Sequence, residues 1–472
     1  MSQPRVSLCL IARNEERDIG DCIRSALPAC DEVVVADTGS TDRTREIAAA
    51  LGAKIIHFPW CDDFAAARNA SLDAATGDWA LILDCDERLS PEAARHIREA
   101  VADRRAVAFR LDVVSDVGGG VQQCTPIVRL FRRVPEIRYV RRIHESVGEA
   151  VVEYARKHGL GTERICGPAY HSGYEPTRFQ SLGKRERNLR LHQKTVEDRP
   201  NDAYAWYRYG DELRAVDARR SEEALDRAWS LYAAMDPQRR SDHVYGPEIV
   251  TLRAFLQLKK RDFGRALQIL EEGERVAGVS PNFVYVRAIA LSEARRFEEA
   301  LACFVTLRSL EGEQFETPMQ PRITTSIACA GAGSCCEQLG RLEEAERWLR
   351  QAIELDPEHV HSTRLLARVL GRLGRGLEGE RILVGWLKRH SNDGEAWAIA
   401  GKLALQRGAS REAVQRLSIA LCAPDAPDWA HEELSMAQAA QGNFVGALSA
   451  AEKVKSAHRR AELERAIAAV RT

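Results

Sequence analysis

No stretch of this chain approaches the ~18 consecutive apolar residues a helix needs to cross a bilayer, so a helical membrane span is not expected. Its 12 cysteines include no C-x-x-C pair and no zinc-ligand spacing, and Cys335 and Cys336 are simply adjacent. Small buried or partly buried thiols in a reducing compartment are therefore expected, not disulfides or a structural metal. Excess charge is also missing. Against 68 Lys and Arg stand 69 Asp and Glu, a net charge of −1 that gives no field for nucleic acid or an anionic membrane. A signal-peptide layout is absent, because Met1-Ser-Gln-Pro-Arg5 runs directly into an apolar strand pattern, and a cytoplasmic location is expected. What remains is 472 residues, 45% hydrophobic and 29% charged, an ordinary balance for a globular protein of two or three domains.

The first hundred residues alternate between two periodicities. Residues 5–11 read as a buried strand, and a helical pattern follows through Leu27, stopped by Pro28. Residues 31–36 form a second strand ending at Asp37. Thr41 is the expected N-cap of a helix over 42–51, with Gly52 in the C′ position. A strand over 53–57, a helix over 62–75 closed by Gly77 and a strand over 78–83 come next. Ser90-Pro91 then supplies a cap and a first-turn proline for a helix reaching Ala102. Strand–helix alternation predicts a parallel sheet with helices on both faces, whose ligands bind beyond the carboxyl ends of the strands. Asn14-Glu15, Asp37 and the pair Asp84/Asp86 all fall at such ends.

Asp84-Cys-Asp86 closes the apolar run Trp79–Leu83. Alternate residues of an extended chain share a face, so both carboxylates can project toward one spot. Carboxylate oxygens suit a hard divalent cation that also holds a diphosphate. Alone, the pair more often marks a solvated turn, and Asp37 a turn residue; three polar clusters at one topological position reverse that preference.

In combination, Ser7-Leu-Cys-Leu-Ile-Ala-Arg-Asn-Glu15, Val33-Val-Val-Ala-Asp-Thr-Gly-Ser-Thr-Asp42, Arg68-Asn69 and Asp84-Cys-Asp86 resemble the family 2 glycosyltransferases. These are inverting enzymes with the nucleotide-diphospho-sugar (GT-A) fold, and the resemblance covers residues 5 to about 105. It implies a UDP-sugar donor held by Arg13, Asn14, Glu15 and Asp37, with Asp37 accepting from the base. Ser40 and Asp42 would flank that pocket, and Arg68 would contact the base or the phosphates. Asp84 would hold the ribose or a metal-bound water, and Asp86 the Mn²⁺ or Mg²⁺ that bridges the diphosphate.

Beyond residue 105, strands over 107–113 and 126–132 are joined by a loop with Gly118-Gly-Gly120, read as a flap over the sugar or as a plain hairpin loop. The succession Ile137–Ser146, Tyr170-His-Ser-Gly-Tyr174 and Lys184–Leu189 is similar to the subgroup of family 2 that carries tetratricopeptide repeats. That subgroup includes enzymes resembling lipopolysaccharide-core glucosyltransferases and peptide S-glycosyltransferases. An inverting transferase needs a base for the acceptor proton. The usual layout offers an acidic pair; here it is His144-Glu145, so Glu145 or His144 is the expected catalytic residue. His171 is expected as a further metal or diphosphate ligand, imidazole being acceptable to Mn²⁺, against the reading of a surface histidine. Arg129, Arg132, Arg133, Arg138, Arg141 and Arg142 are read as a solvated face in preference to a phosphate receiver. Lys184, Arg185, Arg187 and Asn188 are likewise read as a linker-helix surface.

From about residue 200 the strand signals vanish. A motif of aromatic or Leu, acids and Ala recurs at Phe263, Phe297, Leu342, Leu377, Ser410 and Phe444, with spacings of 34, 45, 35, 33 and 34 (263 to 297, 342, 377, 410 and 444). The tetratricopeptide period is about 34, and the long gap is assigned to an insertion near 311–321. Such helix pairs stack with a concave groove, here for a peptide or protein acceptor, a partner, a second copy of the chain, or merely as a buttress.

The sequence thus predicts a GT-A α/β domain over 1–195 and an all-α repeat superhelix over 196–472. The predicted activity is metal-dependent, inverting transfer from a nucleotide sugar to a peptide, protein or saccharide acceptor. The alternative is a repeat scaffold with an inactive transferase-like domain. A nucleotidyltransferase ranks last, because Ala12-Arg-Asn-Glu15 replaces the Gly-rich basic loop that would hold a triphosphate.

Overall fold

A computed structural model describes residues 3–116, 122–171, 182–240, 243–313 and 320–471 of the chain. Gly118–Gly120, Ser172–Tyr174 and most of the 311–321 insertion lie outside the described residues. The chain divides into two compact units, residues 1–283 with 314–320, and residues 284–313 with 321–472.

In the first unit the chain runs β1 (Val6–Ala12), α1 (Ile19–Ala26), β2 (Glu32–Asp37), α2 (Thr44–Ala50), β3 (Lys54–His57), α3 (Phe64–Ala74), β4 (Trp79–Ile82), β5 (Glu87–Leu89) and α4 (Pro91–Ala100). It continues with β6 (Ala106–Asp116), β7 (Gln122–Arg132), α5 (Gly148–His158), β8 (Gly161–His171), α6 (Leu182–Asp198) and α7 (Ala203–Leu213). The eight strands form one sheet in the order β3-β2-β1-β4-β7-β6-β8-β5. The first four are parallel, as the alternation predicts, with Ala12 opposite Asp37 and Asp37 opposite His57. β7 adds antiparallel to β4, and β5 pairs antiparallel with β8, so that Glu87 faces His171.

Side-chain alternation builds a core on each face of the sheet. Leu8, Leu10, Val33, Val35 and Leu81 pack with α1 and α4, while Cys9, Val34, Ala80 and Ile82 pack with α3 and α5. Ser90 caps α4 as expected, accepting from the Ala93 N–H at 3.1 Å. Thr41 does not cap α2: its N–H donates to Asn14 Oδ1 at 2.8 Å, and the helix begins later, at Thr44. Gly77 does not close α3 either. It lets β4 approach β1, since a Cβ there would lie 2.5 Å from Ser7 Oγ and 2.8 Å from Ser7 N. β5, β8 and α5 carry no clear sequence signal. All 12 cysteines are free, and Cys61, Cys124, Cys166 and Cys422 are exposed, which corrects the expectation of buried thiols for those four.

The remaining elements among the described residues are all helices. Helices Phe263–Ala277, Phe297–Ser309, Leu342–Leu355, Ser410–Ala420 and Phe444–Glu452 begin at the predicted motif positions, and Gly376–Leu387 one residue early. Two residues before each start stands a left-handed residue: Arg261, Arg295, Gly340, Gly374, Gly408 or Gly442, with φ between 60° and 83°. Each reverses the chain between the two helices of a pair. Within the second unit the pairs are small-residue packed. A Cβ on Gly401 would meet Leu417 Cγ at 2.6 Å, so glycine is required for that approach.

Candidate functional site

At the carboxyl edge of the parallel strands, the loops after β1 and β2 are bonded into one unit. Asn14 adopts φ 58°, and its N–H donates to Ser40 Oγ at 3.1 Å. The Asp42 carboxylate accepts the Glu16 N–H at 3.1 Å and the Thr44 N–H at 3.0 Å. Thr44 Oγ1 in turn accepts the Glu15 N–H at 2.7 Å. Asp37 is fully buried at the end of β2 and receives the Ser40 N–H at 3.1 and 3.3 Å. The structure therefore brings Asn14, Ser40 and Asp42 together as loop-fixing groups around Asp37. Arg13 is exposed beside them.

A chain of alternating charges runs behind the Asp-X-Asp turn. Arg68, on α3, donates Nη2 to Asp84 Oδ1 at 2.5 Å and Nε to Glu145 Oε1 at 2.7 Å. Arg129, on β7, donates Nη2 to Asp84 Oδ2 at 2.9 Å and also to Glu87. Arg68, Arg129 and Glu87 are 5%, 6% and 1% exposed. Burial alone would raise the Asp84 carboxyl, but the two guanidinium groups outweigh it and hold it well below the usual carboxylate range. Burial raises Glu87. Five ionised groups in contact sum to one net negative charge, so each buried charge has a counter-ion. Arg68 also lies over the Tyr139 ring at 5.5 Å.

The next pair sits across the β5–β8 junction, where Asp86 Oδ2 is 3.3 Å from His171 Nε2. One carboxylate oxygen and one imidazole nitrogen side by side are a donor set suited to Mn²⁺. Among the described residues no group of three or more His, Cys, Asp or Glu converges as a complete cation cage.

His144 and Glu145 part company. Glu145 turns toward Arg68, with its side chain only 13% exposed. His144 adopts φ 50° and stacks on His192 of α6 at 5.2 Å, with Arg208 Nη2 3.3 Å from its Nε2. Burial first, then the Arg208 charge and His192, push the His144 imidazole well below its ordinary range. The structure thus joins Glu145 to Asp84 through one arginine and places the His144 ring against the helices instead.

The six arginines are not a solvated face. Arg129 bonds Asp84 and Glu87, and Arg132 donates to the Ala106 carbonyl at 2.8 Å and stacks on Trp79 at 5.0 Å. Arg133 bonds the Gly77 carbonyl at 2.7 Å, and Arg138 the Val134 carbonyl at 2.9 Å. Arg141 is tied to Asp202, and Arg142 to Asp198 at 2.6 Å. A guanidinium carries five donors, and each of these finds carbonyls or carboxylates within reach. Arg187, on α6, stacks on Phe64 at 5.6 Å, so this linker-helix residue is not simply surface. Sequence reasoning missed Glu87 and Asp202; Glu87, one residue past the Asp-X-Asp pair, was the more findable.

The family described as Glycosyl transferase family 2 matches residues 7–154, and Tetratricopeptide repeat matches residues 327–359. A TPR repeat-containing protein of Synechococcus elongatus is 38% identical over 208 residues, covering 44% of this chain and 51% of that one. The SPbeta prophage-derived glycosyltransferase SunS of Bacillus subtilis is 27% identical over 231 residues, covering 47% and 52%. An uncharacterized glycosyltransferase of Rickettsia bellii is 33% identical over 220 residues, 41% of this chain and 73% of that protein. The chain thus spans about half the length of the first two relatives. Among the described residues no helix is long and apolar enough to cross a membrane.

Proposed function

Because the chain belongs to glycosyl transferase family 2 and carries tetratricopeptide repeats, we propose that it transfers a sugar, with inversion, from a nucleotide-diphosphate donor to an acceptor hydroxyl or thiol. The observation that carries this reading is the Arg68 guanidinium, which holds Glu145 and Asp84 on one rigid group at the edge where ligands of such sheets bind.

The donor is a UDP-sugar. Asp37 accepts from the base, Arg13, Asn14, Glu15, Ser40 and Asp42 shape the nucleoside pocket, and Asp84 faces the ribose. Asp86 and His171 would hold Mn²⁺, or Mg²⁺ with Asp86 dominant, and the cation supplies charge stabilisation for the departing diphosphate. Glu145 takes the acceptor proton as oxygen or sulfur bonds to the anomeric carbon. The bond from that carbon to the diphosphate breaks, and its electron pair leaves with the nucleotide. The transferase domain is 1–195 and the repeat domain 196–472. The repeats receive a peptide or protein acceptor, a partner or a second copy of the chain; a saccharide acceptor is the alternative.

A thermal-shift series tests the donor site without knowledge of the acceptor. Nucleoside diphosphates and nucleotide sugars are added with and without Mn²⁺ to wild type and Asp86→Ala. At ~100 Kd a bound nucleotide stabilises by about 2.7 kcal/mol. A Mn²⁺-dependent shift with uridine nucleotides, lost in the variant, is expected. No shift with any donor supports the inactive scaffold instead.

A further inference from the structure

We propose that Asp202, the residue that begins the first helix after the linker helix, is a positioning residue for the transfer step, acting on Glu145 through Arg141. The inference rests on the reading of Glu145 as the base.

Backbone regularity does little to fix Glu145. Its loop is closed by a single bridge, Val140 to Ser146, with hydrogen bonds of 3.1 and 3.2 Å. Inside that closure two non-glycine residues, Arg141 (φ 76°) and His144 (φ 50°), are left-handed. Such conformations persist only where the surroundings impose them. On one side α3 supplies the constraint. Arg68 takes the Glu145 carboxylate, Asn69 exchanges two hydrogen bonds with the Tyr139 backbone at 2.9 and 3.0 Å, and the Phe64 N–H donates to the Arg142 carbonyl at 2.9 Å.

On the other side the constraint comes from α7. The Arg141 side chain is 3% exposed and donates Nε to Asp202 Oδ2 at 2.8 Å and Nη2 to Asp202 Oδ1 at 3.1 Å. It also bonds Glu149 and lies over the Tyr204 ring at 4.7 Å. The same Asp202 is the N-cap of α7, where Oδ1 accepts the Ala205 N–H at 3.0 Å. One carboxylate therefore starts a helix and holds a strained residue four positions before the base. Without it, Arg141 keeps Glu149 and the Tyr204 ring but loses its two-point anchor, the hold on its positive φ loosens, and the short loop moves with it.

Because the cap and the anchor use different chemistry, they can be separated. In Asp202→Asn the amide oxygen still caps α7. Its NH₂, however, falls opposite the guanidinium donors of Arg141 and Arg199, where Oδ2 now accepts both. The contrasting variant is Asp217→Ala, which removes the N-cap of the next helix, Ala218–Ala233, where Asp217 accepts the Arg220 N–H at 3.0 Å.

The test uses the full chain with Mn²⁺, water as acceptor, and UDP release from UDP-glucose, UDP-galactose and UDP-N-acetylglucosamine. Asp202→Asn is expected to lower kcat ~10- to 100-fold, as for a misplaced catalytic group, with donor KM within about twofold of wild type. Its amide exchange over 139–147 should rise. Asp217→Ala should lower the melting temperature and leave kcat unchanged. Wild-type kcat in Asp202→Asn, or an equal loss of kcat in Asp217→Ala, overturns the positioning role. Absence of UDP release by wild type overturns the transferase reading and this one with it.

Discussion

Lowering the pH from 7 to 5 should weaken the first unit through the stacked histidines His144 and His192, and the share of His192 can be isolated. His192 is 1% exposed in α6, between the His144 ring and Tyr209, and its Nε2 has no hydrogen-bond partner among the described residues. Burial first, and then the Arg208 charge, push its imidazole down to about 3. The sign follows from where the proton binds. Below the ordinary value of about 6.5 the unfolded chain takes up a proton that the folded chain refuses until pH falls to about 3. Stability is therefore intact above pH 6.5 and is lost progressively as pH drops through that window. At pH 5 the loss is about 1.5 units of 1.36 kcal/mol each, or roughly 2 kcal/mol. Carboxylates titrate mainly below this range, so histidines dominate it. Urea unfolding at pH 7, 6 and 5, for wild type and His192→Gln, isolates the term. The wild type should lose about 2 kcal/mol more than the variant between pH 7 and 5. Parallel pH profiles for the two proteins would refute the argument, because they would mean that His192 gains its proton as readily folded as unfolded.

Two further outcomes follow from the charge chain. Arg129→Leu leaves Glu87, 1% exposed, without its closest cation. It should destabilise by about 3–5 kcal/mol, seen as a lower urea midpoint; an unchanged midpoint would show that Glu87 is protonated or otherwise satisfied. Glu145→Gln keeps an acceptor oxygen for Arg68 but cannot take a proton. UDP release should fall ~100-fold or more while the nucleotide-induced thermal shift persists. Full activity in that variant would move the base elsewhere.

The parallel half of the sheet was legible because both periodicities are strong there. Val33-Val-Val35 is β-branched and alternates faces, and three of the four strands end on a polar cluster. The repeats were legible from their period, down to the first residue of most second helices. What stayed hidden depends on pairing at long range. β5 is three residues long and exists only because β8, some eighty residues later, lies beside it. The arginines from Arg129 to Arg142 read as surface residues in the sequence, and only the fold brings Asp84, Glu87, Asp198 and Asp202 to them. His144 and Glu145 are neighbours in sequence, and nothing in their order says that one ring turns to the helices while the carboxylate turns to the sheet. That separation is set by a left-handed backbone at His144, which local sequence does not announce.

Under the proposed roles of Asp84 and Glu145, the Arg68 guanidinium makes donor and acceptor chemistry one inheritance. Because Nε of this one group holds Glu145 and Nη2 holds Asp84, a change at either carboxylate alters the other's surroundings, and paired substitutions there should combine non-additively. In the proposed mechanism, an enzyme built this way has little freedom to retune its donor end and its base separately. New acceptors are then more easily met outside this clamp, on surfaces that can change without disturbing the five charges behind the Asp-X-Asp turn.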